Sequence, residues 1–425
     1  AAANGLFRRA FHFNSQPDRL PEPEPGRQYL LYVHVPFCES LCPFCSFHRV
    51  QFRAARAEPY FQALRGEIAR YGELGFDFSE VYVGGGTPTV LPDELRKTLD
   101  LIRARFSVRD ISVETNPNHL TAPNIQTLKS AGVTRLSVGV QSFDDELLRR
   151  MGRYQAYGSG AQTADRLAAC LDAFQTLNVD LIFNLPDQSA DSFARDLEIV
   201  RDGVRATQAS FYPLMATAAT RGRMRREMGV ATGDNEAAFY RMISSGLGDD
   251  YQAESAWCWS RGANMVDEYV VNHDDYVGVG SGAFGYLNGR FTANTFSLRE
   301  YRARIAAGRL GITRSRDFSR RDQLRYHLLM RLFGLQLDKS VMRARFGEGA
   351  LGALWPELAV LKLAGLVRDT GDELRLTDRG MYYWVVLMSG FFSSVNRFRE
   401  AMRDQWRVES RAAGSRQAEL TGVIK

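Results

Sequence analysis

Residues 29–47 read YLLYVHVPFCESLCPFCSF. The mostly apolar burst from Tyr29 to Val35 looks like a buried strand, and Cys38, Cys42 and Cys45 follow it on a loop that also holds Pro36 and Pro43. Three thiolates spaced Cys-x3-Cys-x2-Cys can ligate three irons of a four-iron cluster and leave the fourth iron open. An open metal position marks a reactive centre, by the logic that separates catalytic from structural zinc sites. Two other readings stand beside this one: buried cysteines acting as small hydrophobes, and a zinc site completed by His48. Core cysteines have no reason to gather on a proline-containing loop.

Outward from the loop, strand-like bursts alternate with helix-length stretches. The bursts are Tyr29 to Val35, Glu80 to Val83, Ile111 to Glu114, Arg135 to Val140, Val179 to Phe183 and Ala209 to Leu214. Helices are expected over 58–74, 92–106, 121–130, 161–177 and 190–205. Alternation of this kind implies parallel βαβ units, and six of them make an α/β barrel or partial barrel.

The unusual residues then fall at the same ends of the strands. Gly84, Gly85, Gly86, Thr87 and Pro88 follow the second burst, Glu114, Asn116 and Pro117 end the third, and Gln141 ends the fourth. Asn184, Leu185 and Pro186 follow the fifth, and Tyr212 and Pro213 end the sixth. Barrel sites form at the C-terminal ends of the strands, so these motifs should converge on one mouth. The triple glycine lets backbone approach a ligand closely, although a tight turn alone would also use it. Glu114 is placed to accept hydrogen bonds from ribose hydroxyls, or acts as a capping or surface carboxylate. Gln141 and Asp180 are polar groups on otherwise apolar strands and need dedicated partners.

Composition sets the outer bounds. The chain has 425 residues, 45% apolar and 24% charged, with a net charge of +5, which suits a globular chain of one large domain and one or two smaller ones. Five cysteines, three of them clustered, argue against a secreted disulfide framework and for a reducing compartment. The start, AAANGLFRRAFHF, lacks a signal-peptide pattern, and no stretch reaches the roughly 18 apolar residues of a membrane span. A cytoplasmic location is expected. Residues 1–27, ending in PEPEPGR, read as an arm.

Six separated motifs, YVHVPFCESLCPFC, VYVGGGTPTVL, SVETNPNHL, RLSVGVQSFDDELLRRMGR, DLIFNLP and DDYVGVGSGAFG, resemble the radical S-adenosylmethionine (SAM) superfamily. Within it they resemble the oxygen-independent coproporphyrinogen III oxidase, or HemN-like, family, over residues 29–380. The resemblance implies a partial (β/α)6 radical SAM barrel over 28–320 and a small α+β winged-helix-like domain over 321–380; beyond it, the residues read as a hydrophobic helical tail over 381–425. It implies a [4Fe-4S] cluster on Cys38, Cys42 and Cys45, with SAM chelating the open iron and a donor such as flavodoxin or ferredoxin reducing it. By motif position Tyr32, Phe44, Gly85, Gly86, Thr87, Glu114, Gln141, Arg153 and Asp180 would line the SAM sites, with Arg153 as the partner of a carboxylate.

Departures from the family pattern bear on the reaction. Coproporphyrinogen oxidases carry a further cysteine two positions after the third, where this chain has Phe47, which counts against porphyrinogen decarboxylation. The haem chaperone branch carries a His-Asn motif with Tyr-Trp following, which SRGANMVDEYVVNHDDYVGVG does not reproduce despite the nearby His273. The fifth-strand motif usually has glycine where this chain has Asn184. What remains by this reasoning is the class C methyltransferase branch, which uses two SAM molecules to alkylate an sp2 carbon. The base it needs is not identified, Tyr212, His273, Asp275 and Tyr276 being weak candidates. Alternatives are an anaerobic haem-methylating or haem-opening enzyme, a haem chaperone, and a coproporphyrinogen oxidase-like decarboxylase.

The tail MYYWVVLMSGFFSSVNRF, 381–398, is uncharged and aromatic until Arg397, with Arg399, Arg403 and Arg407 following. Such a segment suits an interfacial helix at a membrane, the lid of a greasy site, or a core helix packed on the barrel. With a hydrophobic ring as substrate, menaquinone is the first expectation and haem the second. Residues 322–380 carry no basic recognition helix, so a nucleic-acid partner is not expected.

Overall fold

The computed structural model describes residues 22–230, 235–262, 271 and 273–420, with the side chains of 218, 219 and 404–420 not described. Most of the proposed arm, and residues 263–270 and 272 of the segment compared with the chaperone motif, lie outside the described residues, as does the side chain of Arg407.

Six parallel strands carry the barrel: β1 (Gln28–Val35), β2 (Asp77–Gly85), β3 (Asp110–Thr115), β4 (Arg135–Gln141), β5 (Thr176–Phe183) and β6 (Gln208–Pro213). They lie side by side in chain order and pair in parallel throughout. Each contains an expected burst, Leu214 excepted, and most begin slightly earlier. Seven consecutive residues of β1 are buried, as expected of a parallel strand covered on both faces.

The sheet does not stop at six. β7 (Gln252–Ala253) and β8 (Cys258–Ser260) extend it antiparallel beyond β6. On the other side β9 (Tyr276–Val279) pairs in parallel with β1, and β10 (Phe284–Leu287), β11 (Arg290–Asn294) and β12 (Ile312–Asp317) follow antiparallel, making a sheet of twelve strands.

Helices cover the outer face. The helix Ala54–Glu73 buries Ala57, Tyr60, Phe61, Leu64, Glu67, Ile68 and Tyr71, one stripe at helical spacing. Glu67 pins that helix to the far side of the sheet. Its carboxylate accepts from the Gly280 and Gly311 N–H groups and the Tyr301 hydroxyl at 2.8, 2.7 and 2.7 Å.

Two expected helices are shorter than the sequence suggested. The one expected over 161–177 spans Gly160–Ala168, because Ser159 and Gln162 form a capping box at its start and Thr176 to Asn178 already pair with Arg135 to Ser137 in the sheet. The one expected over 190–205 is α-helical over Ala190–Glu198, then widens to a π turn, Ile199–Val204, that ends on Arg205 at φ 56°.

After the helix Arg320–Phe333, β13 (Gln336–Asp338), β14 (Val367–Asp369) and β15 (Glu373–Leu376) form an antiparallel sheet in the order β13-β15-β14, with helices Lys339–Phe346 and Trp355–Leu363 between β13 and β14. The C-terminal helix spans Asp378–Leu420. Its aromatic run packs inward: Trp384, Val385, Met388, Phe391 and Val395 are buried along one stripe, and the Trp384 indole donates to the Leu329 carbonyl at 3.0 Å. Among the described residues no helix is long and apolar enough to cross a membrane.

Candidate functional site

The cysteine loop begins where β1 delivers it, at the C-terminal edge of the sheet. Phe37–Cys38 pairs in parallel with Val50–Gln51, so the intervening residues form a closed loop tied at its base. Cys38 and Cys42 are buried and Cys45 is half-buried. Such a loop leaves backbone carbonyls without a ladder, and buried carbonyls need donors. Arg49 supplies them to Cys42 and Cys45, and Arg403 supplies them to Ser46 and Phe47 at 2.6 and 2.8 Å.

The Arg153 guanidinium, also buried, lies 3.4 Å from the Cys42 sulfur and donates to the Asn116 side chain at 3.1 Å and to the Gly139 carbonyl. Tyr157 lies beneath it at 4.3 Å. The Thr87 hydroxyl stands 3.7 Å from the Cys38 sulfur and accepts from Asn116 at 2.7 Å. Burial pushes the Cys38 thiol up to about 12, helped by the neighbouring Cys45, so a bound cation is needed to hold it as a thiolate.

These residues fit an anionic iron–sulfur cluster with an anionic ligand. Cys42 faces the buried Arg153 guanidinium, the half-buried Arg49 lies against the same loop, and Arg49 Nε and Nη1 and Arg153 Nε have no hydrogen-bond partner among the described residues. His48 is committed elsewhere: its Nε2 meets the Ser281 hydroxyl at 3.2 Å and its ring stacks on His34. Among the described residues no three His, Cys, Asp or Glu side chains converge on a single-ion site. A four-iron cluster holds its thiolates around a cube of several atoms and does not need them gathered on one ion.

The other strand ends surround this loop. The Gly85 N–H donates to Glu114 at 3.0 Å. The triple glycine is required by the protein's own packing: a Cβ at Gly84 would lie 2.5 Å from the Glu114 carboxylate, and one at Gly86 would lie 2.6 Å from the Phe37 carbonyl. Gly85 has φ 113°, which only glycine takes readily. Asp180 accepts from Ser137 and Asn178 at 2.9 and 2.7 Å. Gln141 sits at φ 76° where the β4–β5 register shifts, and Tyr32 bonds to His34 Nδ1 at 2.8 Å. Burial pushes His34 down to about 4, so it is neutral near pH 7. Asn184 has φ 63°, a left-handed conformation that asparagine tolerates and glycine enters freely.

Phe44, inside the cysteine loop, packs against a second apolar cluster separate from the main core: Leu147, Leu148, Met151, Ile182, Leu185, Met224 and Met228. Ile182 lies at the end of β5 and the others follow β4, β5 and β6, so the cluster sits at the same mouth.

Three of the four base candidates are not there. His273, 2.8 Å from Glu80, and Asp275, ion-paired to Arg27 and to Arg345 at 2.9 Å, sit near the start of β9. Tyr276 is in register with Leu30, at the opposite end of the parallel strands from the cysteine loop. Tyr212 alone ends a strand at the mouth, its ring 5.3 Å from that of Trp257. Sequence reasoning missed Arg49 and the interaction of Arg403 with the loop. A basic residue four positions past the third cysteine is a signal for the first; nothing local signals the second.

Residues 32–200 match the family model described as Radical SAM superfamily. The chain is 30% identical over 388 residues to Heme chaperone HemW of Mycobacterium tuberculosis (strain ATCC 25618 / H37Rv), covering 87% of this chain and 96% of that one. It is 28% identical over 383 residues to Anaerobilin synthase of Escherichia coli O157:H7, covering 84% and 82%. Among solved structures it matches coproporphyrinogen III oxidase (HemN) from Escherichia coli with a TM-score of 0.70 at 23% identity, covering 85% and 90%, which establishes the fold. These comparisons correct the expectation of a methyltransferase acting on menaquinone. The two relatives, each matched over more than four-fifths of the chain, are named for haem and for a bilin, and neither for methyl transfer or a quinone.

Proposed function

Because the chain belongs to the HemN-like family of the radical SAM superfamily, we propose that it is a radical SAM enzyme acting on a haem-type tetrapyrrole, which it opens under anaerobic conditions. When bound, a [4Fe-4S] cluster would supply the electron for reductive cleavage of SAM.

The chain's own residues hold and orient. Cys38, Cys42 and Cys45 would hold the cluster, and Arg153 would pair with the carboxylate of SAM. Glu114 takes the ribose, while Gly85, Gly86 and Thr87 border the amino-acid end. Tyr32, Phe44, Gln141 and Asp180 complete the walls. Water exclusion and positioning are the protein's contribution to chemistry that the cofactors perform.

The observation that carries this reading is the contact between Phe44 of the cysteine loop and the methionine-rich cluster at the mouth. A polarisable, adaptable apolar surface beside a radical source suits a large flat ligand. The names of the two relatives, Heme chaperone HemW and Anaerobilin synthase, support a tetrapyrrole. Phe47, where the oxidases are expected to have cysteine, favours haem over coproporphyrinogen.

A second reading, haem carriage without turnover, is favoured by the 30% identity to HemW. Anaerobic incubation with haem, SAM and dithionite, followed by mass spectrometry of the pigment, separates the two. An open-chain tetrapyrrole supports the enzyme. Haem recovered intact at about one per chain supports the carrier.

A further inference from the structure

The C-terminal helix reaches across the molecule to the cysteine loop. Arg403 donates from one nitrogen to the carbonyls of Ser46 and Phe47, more than 350 residues earlier in the chain. One turn before it, the buried Arg399 guanidinium lies 4.9 Å from the Phe47 ring and 5.2 Å from the Phe284 ring, and is held by Asn396 at 2.9 Å. Phe398 packs on the same Phe284 at 5.9 Å. Phe47 is thereby the upper face of a cation–π stack whose lower face belongs to β10.

Arg399, buried, and Arg403, half-buried, stand one helical turn apart and repel each other, and desolvation together with Arg399 pushes the Arg403 guanidinium down to about 10, with Cys45 and Glu400 opposing. Arg49, on the loop itself, adds a third guanidinium. Such a concentration of buried and half-buried cations is tolerable where an anion offsets it, and three cysteine thiolates with their cluster would be that anion.

We propose that Arg399 and Arg403 are positioning residues for the iron–sulfur cluster: the C-terminal helix clamps the Ser46–Phe47 end of the cysteine loop and keeps two positive charges beside it. The clamp stands independently of which tetrapyrrole is the substrate. Its consequences are a protected loop and a cluster that is easier to reduce, since nearby cations favour the more negative reduced state.

The test uses the full chain and four substitutions. In Arg403→Gln, hydrogen exchange of peptides spanning 42–48 should rise roughly tenfold, the factor that losing a charge-assisted hydrogen bond gives to local opening. The reduction potential of the reconstituted cluster should fall. Arg403→Lys, which keeps the charge, should restore the potential and most of the protection. Arg397→Ala should change neither, since among the described residues Arg397 bonds only to Ser394 on its own helix. If Arg403→Gln does not fold, Phe47→Leu removes one of the two rings that hold Arg399 and should raise loop exchange by a similar factor. Parent-like exchange and parent-like potential in Arg403→Gln, or parent-like exchange in Phe47→Leu, would overturn the proposal. The exchange measurement runs on apoprotein, so it can fail while the tetrapyrrole reading stands, and the reverse.

Discussion

Arg153 is placed where three demands meet: a thiolate, an amide oxygen and a backbone carbonyl. It is buried with Nε unpartnered among the described residues, a geometry that suits a carboxylate ligand better than water. Arg153→Lys keeps the charge but loses the planar fork, so SAM cleavage should drop roughly a hundredfold with KM for SAM raised, as steady-state deoxyadenosine formation would show. Gly86 tests the backbone. A methyl group there meets the Phe37 carbonyl at 2.6 Å, so Gly86→Ala should cost about 2 kcal/mol or more in denaturant unfolding and impair cluster uptake. The cysteines and glycines were legible in the sequence because their spacing is local. Arg403 was not, since a guanidinium on distant carbonyls leaves no local pattern.

The strand bursts were the most legible elements. Fully buried parallel strands are short apolar runs, and all six are found. Helix ends were less so, because a capping box and an early-starting ladder, as at Ser159 and Thr176, truncate an apolar periodicity without interrupting it. The tail had three readings, and side-chain burial favours the packed helix. Trp384→Ala should therefore cost about 3–5 kcal/mol, measured by denaturant unfolding, because it empties a buried site and removes the indole hydrogen bond to the Leu329 carbonyl.

The helix Ala190–Glu198 makes a pH prediction. Its Asp196 accepts from the Ser142 hydroxyl and the Phe143 N–H at 2.8 and 2.7 Å, and burial raises its carboxyl from 3.8 to about 7. The folded chain thus binds this proton more tightly than the unfolded one. Its stabilising contribution is complete below pH 3.8 and is lost as pH rises to about 7, amounting to a few kcal/mol. Asp196→Asn should gain stability relative to the parent as pH rises from about 4 to about 7 in parallel thermal melts. A constant difference between the two proteins would contradict this.

At the scale of the whole molecule, one topology brings the separated motifs together. Parallel strands in chain order put their C-terminal ends on one edge, so the loop with Cys38, the glycines after Val83, Glu114, Gln141 and the turn at Asn184 share a mouth. The same geometry removes His273, Asp275 and Tyr276 from it, since β9 runs parallel to β1 and these residues stand at its beginning. Sequence order alone does not reveal which end of a strand a residue occupies when the strand itself is not foreseen. The substrate was misjudged for a related reason: greasy aromatics in a tail say that something apolar is covered, and the barrel itself is what they cover.

The most direct test of a haem-directed radical enzyme is the dependence of 5'-deoxyadenosine formation on haem. With reconstituted protein, SAM and dithionite under anaerobic conditions, adding haem should raise deoxyadenosine at least about tenfold over the substrate-free rate while the Soret absorbance disappears. The Cys42→Ala variant should do neither. Deoxyadenosine formation that ignores haem, or that responds to coproporphyrinogen III with release of carbon dioxide while haem stays intact, would contradict the account.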